Sequence, residues 1–185
     1  MKKWMVVIVA VALCVAVLAA VGCGGNTAQA KTDMQAADKA YATVKTQMDA
    51  LGNSLTTVLG GAVSGNFSQL TPQVLQTANA SISKILGEVP AVKSDYQKIA
   101  ALTGVPDYVS YANAMIKTLG LDASSLAAGQ KLITDITPLV QAGNTAAITQ
   151  YFQANAAVIN TLQEQSTAAT AAYTNAQNIK SSKNL

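Results

Sequence analysis

Histidine and arginine are both missing from this 185-residue chain, and only 11% of its side chains are charged. Without histidine the chain lacks the usual general base, the usual zinc and haem ligand and the common pH switch. All twelve basic residues are lysine, so no guanidinium is present to fork onto phosphates or bases. The net charge of +3 is too weak to indicate nucleic acid as a partner. What the chain does have is apolar bulk. Half of its side chains are hydrophobic, and the length is enough for one domain, or two small ones, with a sizeable core.

The apolar residues are most concentrated at the start. Lys2 and Lys3 precede Trp4 and a run from Met5 to Val21, the layout of a secretory signal. The run ends in Ala20-Val21-Gly22-Cys23-Gly24-Gly25. This segment resembles the signal of bacterial lipoproteins, whose lipobox closes on a small residue and a cysteine; Ala20 stands where such signals prefer leucine. The resemblance implies a signal peptide over 1–22, cleavage before Cys23 and diacylglyceryl transfer to the Cys23 sulfur, followed by acylation of the new amino end. It also implies that Cys14 leaves with the signal and Cys23 is used by lipid, so no thiol is left for a disulfide. The mature chain would keep ten lysines against nine acids, so its anchor is lipid rather than electrostatic. Gly24 is not the aspartate that retains some lipoproteins in an inner membrane, so the resemblance allows an outer membrane in a two-membrane cell; in a one-membrane cell the anchor would be in the cell membrane whatever this residue is. An uncleaved membrane helix is the alternative: Trp4 to Gly22 is 19 residues, and about 20 cross a bilayer.

Beyond the lipobox, residues 23–33 carry no apolar period and read as a lipidated cysteine on a flexible tether, spanning on the order of 17 Å. The remainder, 34–185, reads as one helical domain. Met34, Ala37, Tyr41, Val44, Met48, Leu51, Leu55 and Val58 step by three and four, an unbroken heptad seam that Gly60-Gly61 should end. Thr71-Pro72 opens a second helix as cap and first residue, and its seam from Leu75 to Ile99 keeps register across Pro90. That favours one kinked helix over two. Pro106-Asp107 starts a third, with Val109, Ala112, Ile116 and Leu119 on one face. Gly120-Leu121-Asp122 should interrupt it, with Asp122 as a fresh cap. A fourth follows Gly143-Asn144, its face marked by Ile148, Tyr151, Val158, Leu162, Ala169, Ala172, Ala176 and Ile179. No stretch alternates like a strand. The expectation is an all-α, up-down-up-down antiparallel four-helix bundle with a broken third helix.

Candidate chemistry is sparse. Ser81-Ile82-Ser83-Lys84 spells the S-x-x-K of penicillin-binding enzymes, but the accompanying S-D-N and K-T-G elements are absent, and a polar helix face explains it. The glycine-rich stretch from Gly60 to Asn66 follows a helix and lacks the G-K-[ST] ending of a phosphate loop, so it reads as a turn. Asp33, Asp38 and Asp122 form no calcium-loop pattern, and no cofactor is expected. Tyr108, Tyr111, Tyr151 and Phe152 could line a ligand pocket near Gly120; packing in the core is the plainer reading. The outward positions are mostly Thr, Gln, Asn, Ser and Ala. These features point to a non-enzymatic, extracytoplasmic lipid-anchored protein. It would act as a structural or interaction module touching an envelope protein or polymer, or as a binder of a small apolar or aromatic ligand.

Overall fold

The computed structural model describes residues 26–62 and 65–185. The chain is all-helical, with no strand among the described residues, and five helices follow one another. They are α1 (Lys2–Val63), α2 (Pro72–Ala100), α3 (Pro106–Gln141), α4 (Thr145–Ala154) and α5 (Ala156–Ser182). The signal peptide expected at 1–22 and the lipidation expected at Cys23 lie outside the described residues. Among those residues, no helix is long and apolar enough to cross a membrane.

The α1 seam forms as its spacing predicts. Met34, Ala37, Tyr41, Val44, Leu51 and Val58 are buried, with Met48 and Leu55 half-buried against the same core. It also runs further than expected in both directions. The supposed tether is helical from Asn26: Ala30, four residues before Met34, is fully buried, and the Asn26 side-chain amide donates to the Thr103 carbonyl at 2.8 Å. Ala30 extends the seam by one turn, but a single alanine among polar neighbours carries too little hydrophobicity to show it. At the other end Gly60-Gly61 does not stop the helix. Two interior glycines cost about 1 kcal/mol each, and burial of Val58 and Ala62 on either side offsets them. The stop comes at Gly65, at φ +83°. Its N–H donates to Ala62 O and that of Asn66 to Gly61 O, the paired bonds of a Schellman cap.

All eight seam positions of α2, from Leu75 through Tyr96 to Ile99, are buried. The Thr71 hydroxyl accepts from Val74 N–H at 3.3 Å and Pro72 fills the first position, as expected. Pro90 stays inside the helix on its exposed face, flanked by buried Val89 and Val92.

The third helix is not broken. α3 continues through Gly120, and Asp122 is an interior residue rather than a cap. Its buried side chains include Tyr111, Ala112, Ala114, Met115, Thr118 and Leu119, too many for one stripe. α3 packs against α1, α2, α4 and α5, so apolar residues occupy several of its faces and a one-face template misreads it. The interruption falls instead in the fourth segment. The Asn155 side-chain amide donates to the Tyr151 carbonyl at 2.9 Å, and α4 ends there. The Asn155 backbone N–H donates to the same carbonyl at 3.0 Å, and the chain leaves helical geometry at this residue, at φ −103° and ψ 15°. Below the break, Val158 is 41% exposed, against the expectation that it faces the core, and α5 buries only Ala169, Ala172 and Ala176. Small side chains let α5 lie close to α3.

The helices make a bundle. Neighbouring elements are pinned by polar contacts as well as by the core. Gln47 reaches Glu88 between α1 and α2, and Gln130 reaches Ser83 between α3 and α2. Lys183 pairs with Asp107 between α5 and α3.

Candidate functional site

The face where α1 and α5 flank α3 is cleft. Its larger lobe, about 550 Å³, is walled by Tyr41 and Met48 of α1 and by Ala169 and Tyr173 of α5, and floored by Thr118 and Asp122 of α3. The Tyr41 and Tyr173 rings stand 5.5 Å apart between centroids and mark its end. Beyond them lies a smaller lobe of about 290 Å³, reaching Asp38, Tyr111, Gln177 and Lys180.

Heptad spacing places these groups. On α3, Tyr111, Met115, Thr118 and Asp122 step by four, three and four, which aims an acidic side chain along a buried stripe. On α1, Asp38, Tyr41 and Lys45 form the equivalent row, and on α5 Tyr173 and Lys180 stand one heptad apart. This spacing was the available signal for Asp122, which reading it as a cap had hidden.

Charge is distributed unevenly in the cleft. The Lys45 ammonium donates to both Asp49 carboxylate oxygens, at 2.9 and 2.7 Å. Asp122, by contrast, accepts no hydrogen bond and makes no ion pair among the described residues. Burial pushes its carboxyl up to about 6, with the Lys45 charge opposing and the Asp49 charge adding. Burial, and then the nearby Asp122 charge, raise the Tyr41 phenol well above its ordinary value, so the ring stays neutral. Thr118 donates its hydroxyl proton to Ala114 O at 3.0 Å.

The end of the smaller lobe is a fully partnered knot. Asp38 Oδ1 accepts from Tyr96 OH at 2.7 Å and Tyr111 OH at 2.6 Å, while Oδ2 accepts from Lys180 Nζ. Three donors, on α2, α3 and α5, thus converge on one carboxylate of α1. Tyr96 and Tyr111 are buried, and their rings meet edge to face at 6.1 Å. Burial is the main reason both phenols are held far above the usual range.

The aromatic group suggested by the sequence does not come together. Tyr111 belongs to the Asp38 knot and Tyr108 is half-buried one turn earlier. Tyr151 donates to Asp135 Oδ2 at 3.0 Å and meets Phe152 edge to face at 6.1 Å. Asp135 lies 24 residues beyond Tyr111 on one helix, about 36 Å at 1.5 Å per residue. The two pairs therefore sit at opposite ends of α3.

The Ser81-Lys84 pair shows no activation geometry. Ser81 donates its proton to the Thr77 carbonyl at 2.9 Å, and the 65%-exposed Lys84 leans toward Glu88. Among the described residues, no group of three or more His, Cys, Asp or Glu side chains is placed to hold a metal ion. Compared with protein families, curated proteins and solved structures, the chain matches none of them.

Proposed function

We propose that this chain is a lipid-anchored extracytoplasmic binding module, without catalytic activity, whose ligand seat is the cleft between α1 and α5. The cleft lies within the range of about 300–1,000 Å³ of small-molecule sites, and polar side chains such as Lys45, Asp49, Asn53, Asp122 and Ser166 make up much of its lining. The observation that carries the reading is Asp122: a half-buried carboxylate with no hydrogen-bond partner, facing a space large enough for a ligand. The structural or interaction alternative would draw support from a contiguous exposed apolar stripe. Val158 is the one exposed large hydrophobic side chain among the described residues.

The helices form, on this reading, an up-down-up-down antiparallel four-helix bundle in which α4 and α5 together supply the fourth member. Contacts that run in opposite order support it: Asn26 with Thr103, Asp38 with Tyr96 and Gln47 with Glu88 between α1 and the α2 side, and Lys183 with Asp107 between α5 and α3.

Anchoring follows from the lipobox resemblance at Cys23. Two residues, Gly24 and Gly25, separate Cys23 from Asn26, whose side chain is fastened to Thr103, so the link reaches about 10 Å at most. An acyl chain on Cys23 would hold the α2–α3 turn beside the lipid, leaving the cleft to open sideways along the bundle.

The test is a thermal-shift screen of small organic compounds on the full chain in detergent, repeated on Gly52→Trp. Gly52 lines the cleft and a Cβ there meets nothing within 4 Å, so the substitution starts from open space and its indole takes up room at the cleft. Compounds that raise the midpoint should lose their effect in the variant. A screen in which none acts, or in which the variant responds equally, rejects the reading.

A further inference from the structure

The charge in the cleft narrows what can sit there. Its larger lobe holds two carboxylates, Asp49 and Asp122, and one ammonium, Lys45, which both Asp49 oxygens engage. One negative charge is left over, on the floor, in a half-buried position. A carboxylate that has lost part of its water and has no partner is less stable than one in bulk solvent, and an occupant that neutralises it recovers part of that free energy on binding. An anion would add to the penalty. A calcium ion needs six to eight oxygens, and no cluster of ligands surrounds Asp122.

The walls specify the cation further. Tyr41 and Tyr173 close one end of the lobe with their rings packed on each other, centroids 5.5 Å apart at a 33° tilt, so a cation would sit against the side of the pair and not between the rings. Both rings belong to the same lobe as Asp122. Thr118, one turn before Asp122, is buried with its hydroxyl donating to Ala114 O, so Asp122 is the acceptor open to an occupant. A carboxylate that can accept N–H bonds suits a primary ammonium better than a quaternary one, which has no proton to donate. Met48 and Ala169 supply apolar surface for the rest of the molecule.

We propose that the cleft binds a small organic primary amine in its protonated form, with Asp122 as its counter-ion and the Tyr41–Tyr173 pair closing one end of its seat. The proposal rests on the cleft being a ligand seat and adds the ligand's chemical class. Binding should follow ionisation of Asp122. The charged or titratable groups facing that carboxyl are Lys45, Asp49 and Tyr41 from α1 and Tyr173 from α5; Asp122 is the one group of its own helix in the set.

The experiment titrates the full chain in detergent with phenethylamine, 2-phenylethanol and 3-phenylpropionate, a cation, a neutral compound and an anion of similar size. Calorimetry at pH 7 should show the amine binding at least tenfold more tightly than the alcohol, and no saturable binding of the acid. Asp122→Asn should abolish the preference for the amine while keeping the helical spectrum. Tyr173→Leu should weaken the amine severalfold more than the alcohol. Lowering the pH from 7 to 5 should weaken the amine about tenfold and leave the alcohol unchanged. Equal affinity for amine and alcohol, or an amine affinity unaffected by Asp122→Asn, overturns the proposal and leaves the cleft as a ligand seat of another class. Failure of all three compounds to bind wild type, with no hit in the broader screen, overturns both.

Discussion

Replacing Asp38 with alanine should be the most damaging single polar substitution in the bundle. The carboxylate accepts from two buried phenols and from the Lys180 ammonium, and its side chain is 20% exposed. A hydrogen bond to a charged group contributes about 1.5–3 kcal/mol. The two phenol bonds together would then be about 3–6 kcal/mol if they added, and they share one oxygen, so the lower half is the sounder figure. The lysine partner is 33% exposed, and a pair so open to water adds at most about 1 kcal/mol. Asp38→Ala should therefore lose about 3–4 kcal/mol, which for a chain of this size lowers Tm by about 10 °C.

Urea unfolding followed by circular dichroism is the assay, with the slope checked so that a changed midpoint means changed stability. Asp38→Asn keeps one acceptor oxygen without the charge and should lose about half as much. Tyr111→Phe should lose about 1.5 kcal/mol, and Lys180→Met under about 1 kcal/mol. The double variant Asp38→Ala with Tyr111→Phe should then lose clearly less than the sum of the two singles. A loss below about 1 kcal/mol for Asp38→Ala, or strict additivity with Tyr111→Phe, would refute the claim that this knot ties the helices together.

Three further outcomes follow from other parts of the chain. Asp122, held near 6 by burial against an ordinary 3.8, binds its proton more tightly in the folded state. Its contribution to stability is therefore complete below about pH 4 and lost as the pH rises through about 6. Asp122→Asn should then be more stable than wild type by about 1–2 kcal/mol at pH 8, after allowance for partial exposure, and equal to it near pH 4; equal melting at both pH values would contradict the burial argument. Gly65→Ala forces a Cβ into φ +83° and should lose about 1 kcal/mol, whereas a neutral result in urea unfolding would mean the Schellman cap is not needed. Cys23→Ser should abolish metabolic labelling by palmitate; unchanged labelling would reject the lipid anchor.

How far the sequence could be read depended on how many neighbours each helix has. α1 and α2 were legible nearly residue by residue because each buries one stripe, so that Met34 to Val58 and Leu75 to Ile99 recur at a single period. α3 was not, because it meets helices on several sides, and a residue such as Met115 serves a face that the Val109–Leu119 stripe does not describe. Glycine misled twice for the same reason: at Gly60-Gly61 and at Gly120 local preference favours a stop, but tertiary burial on both sides outweighs about 1 kcal/mol per glycine. The break at Asn155 is a local departure of one residue's backbone, at φ −103° and ψ 15°, which no periodicity encodes.

The candidate site was the least legible part because its meaning lies in what fails to meet. Asp38 and Asp122 are the same residue type at core-flanking positions, and composition treats them alike. One finds two phenols and an ammonium on three other helices; the other finds an open cleft. Only the arrangement in space separates a carboxylate that fastens helices from one left to face a ligand. The same bundle needs both: α1 and α5 can stand apart around Asp122 because Asp38 and Lys180 hold them together on the far side of the Tyr41–Tyr173 pair. Loosening the knot should therefore widen the cleft before it unfolds the bundle, and an amine that fits the native spacing should bind Asp38→Asn more weakly than wild type although none of its own contacts has been removed.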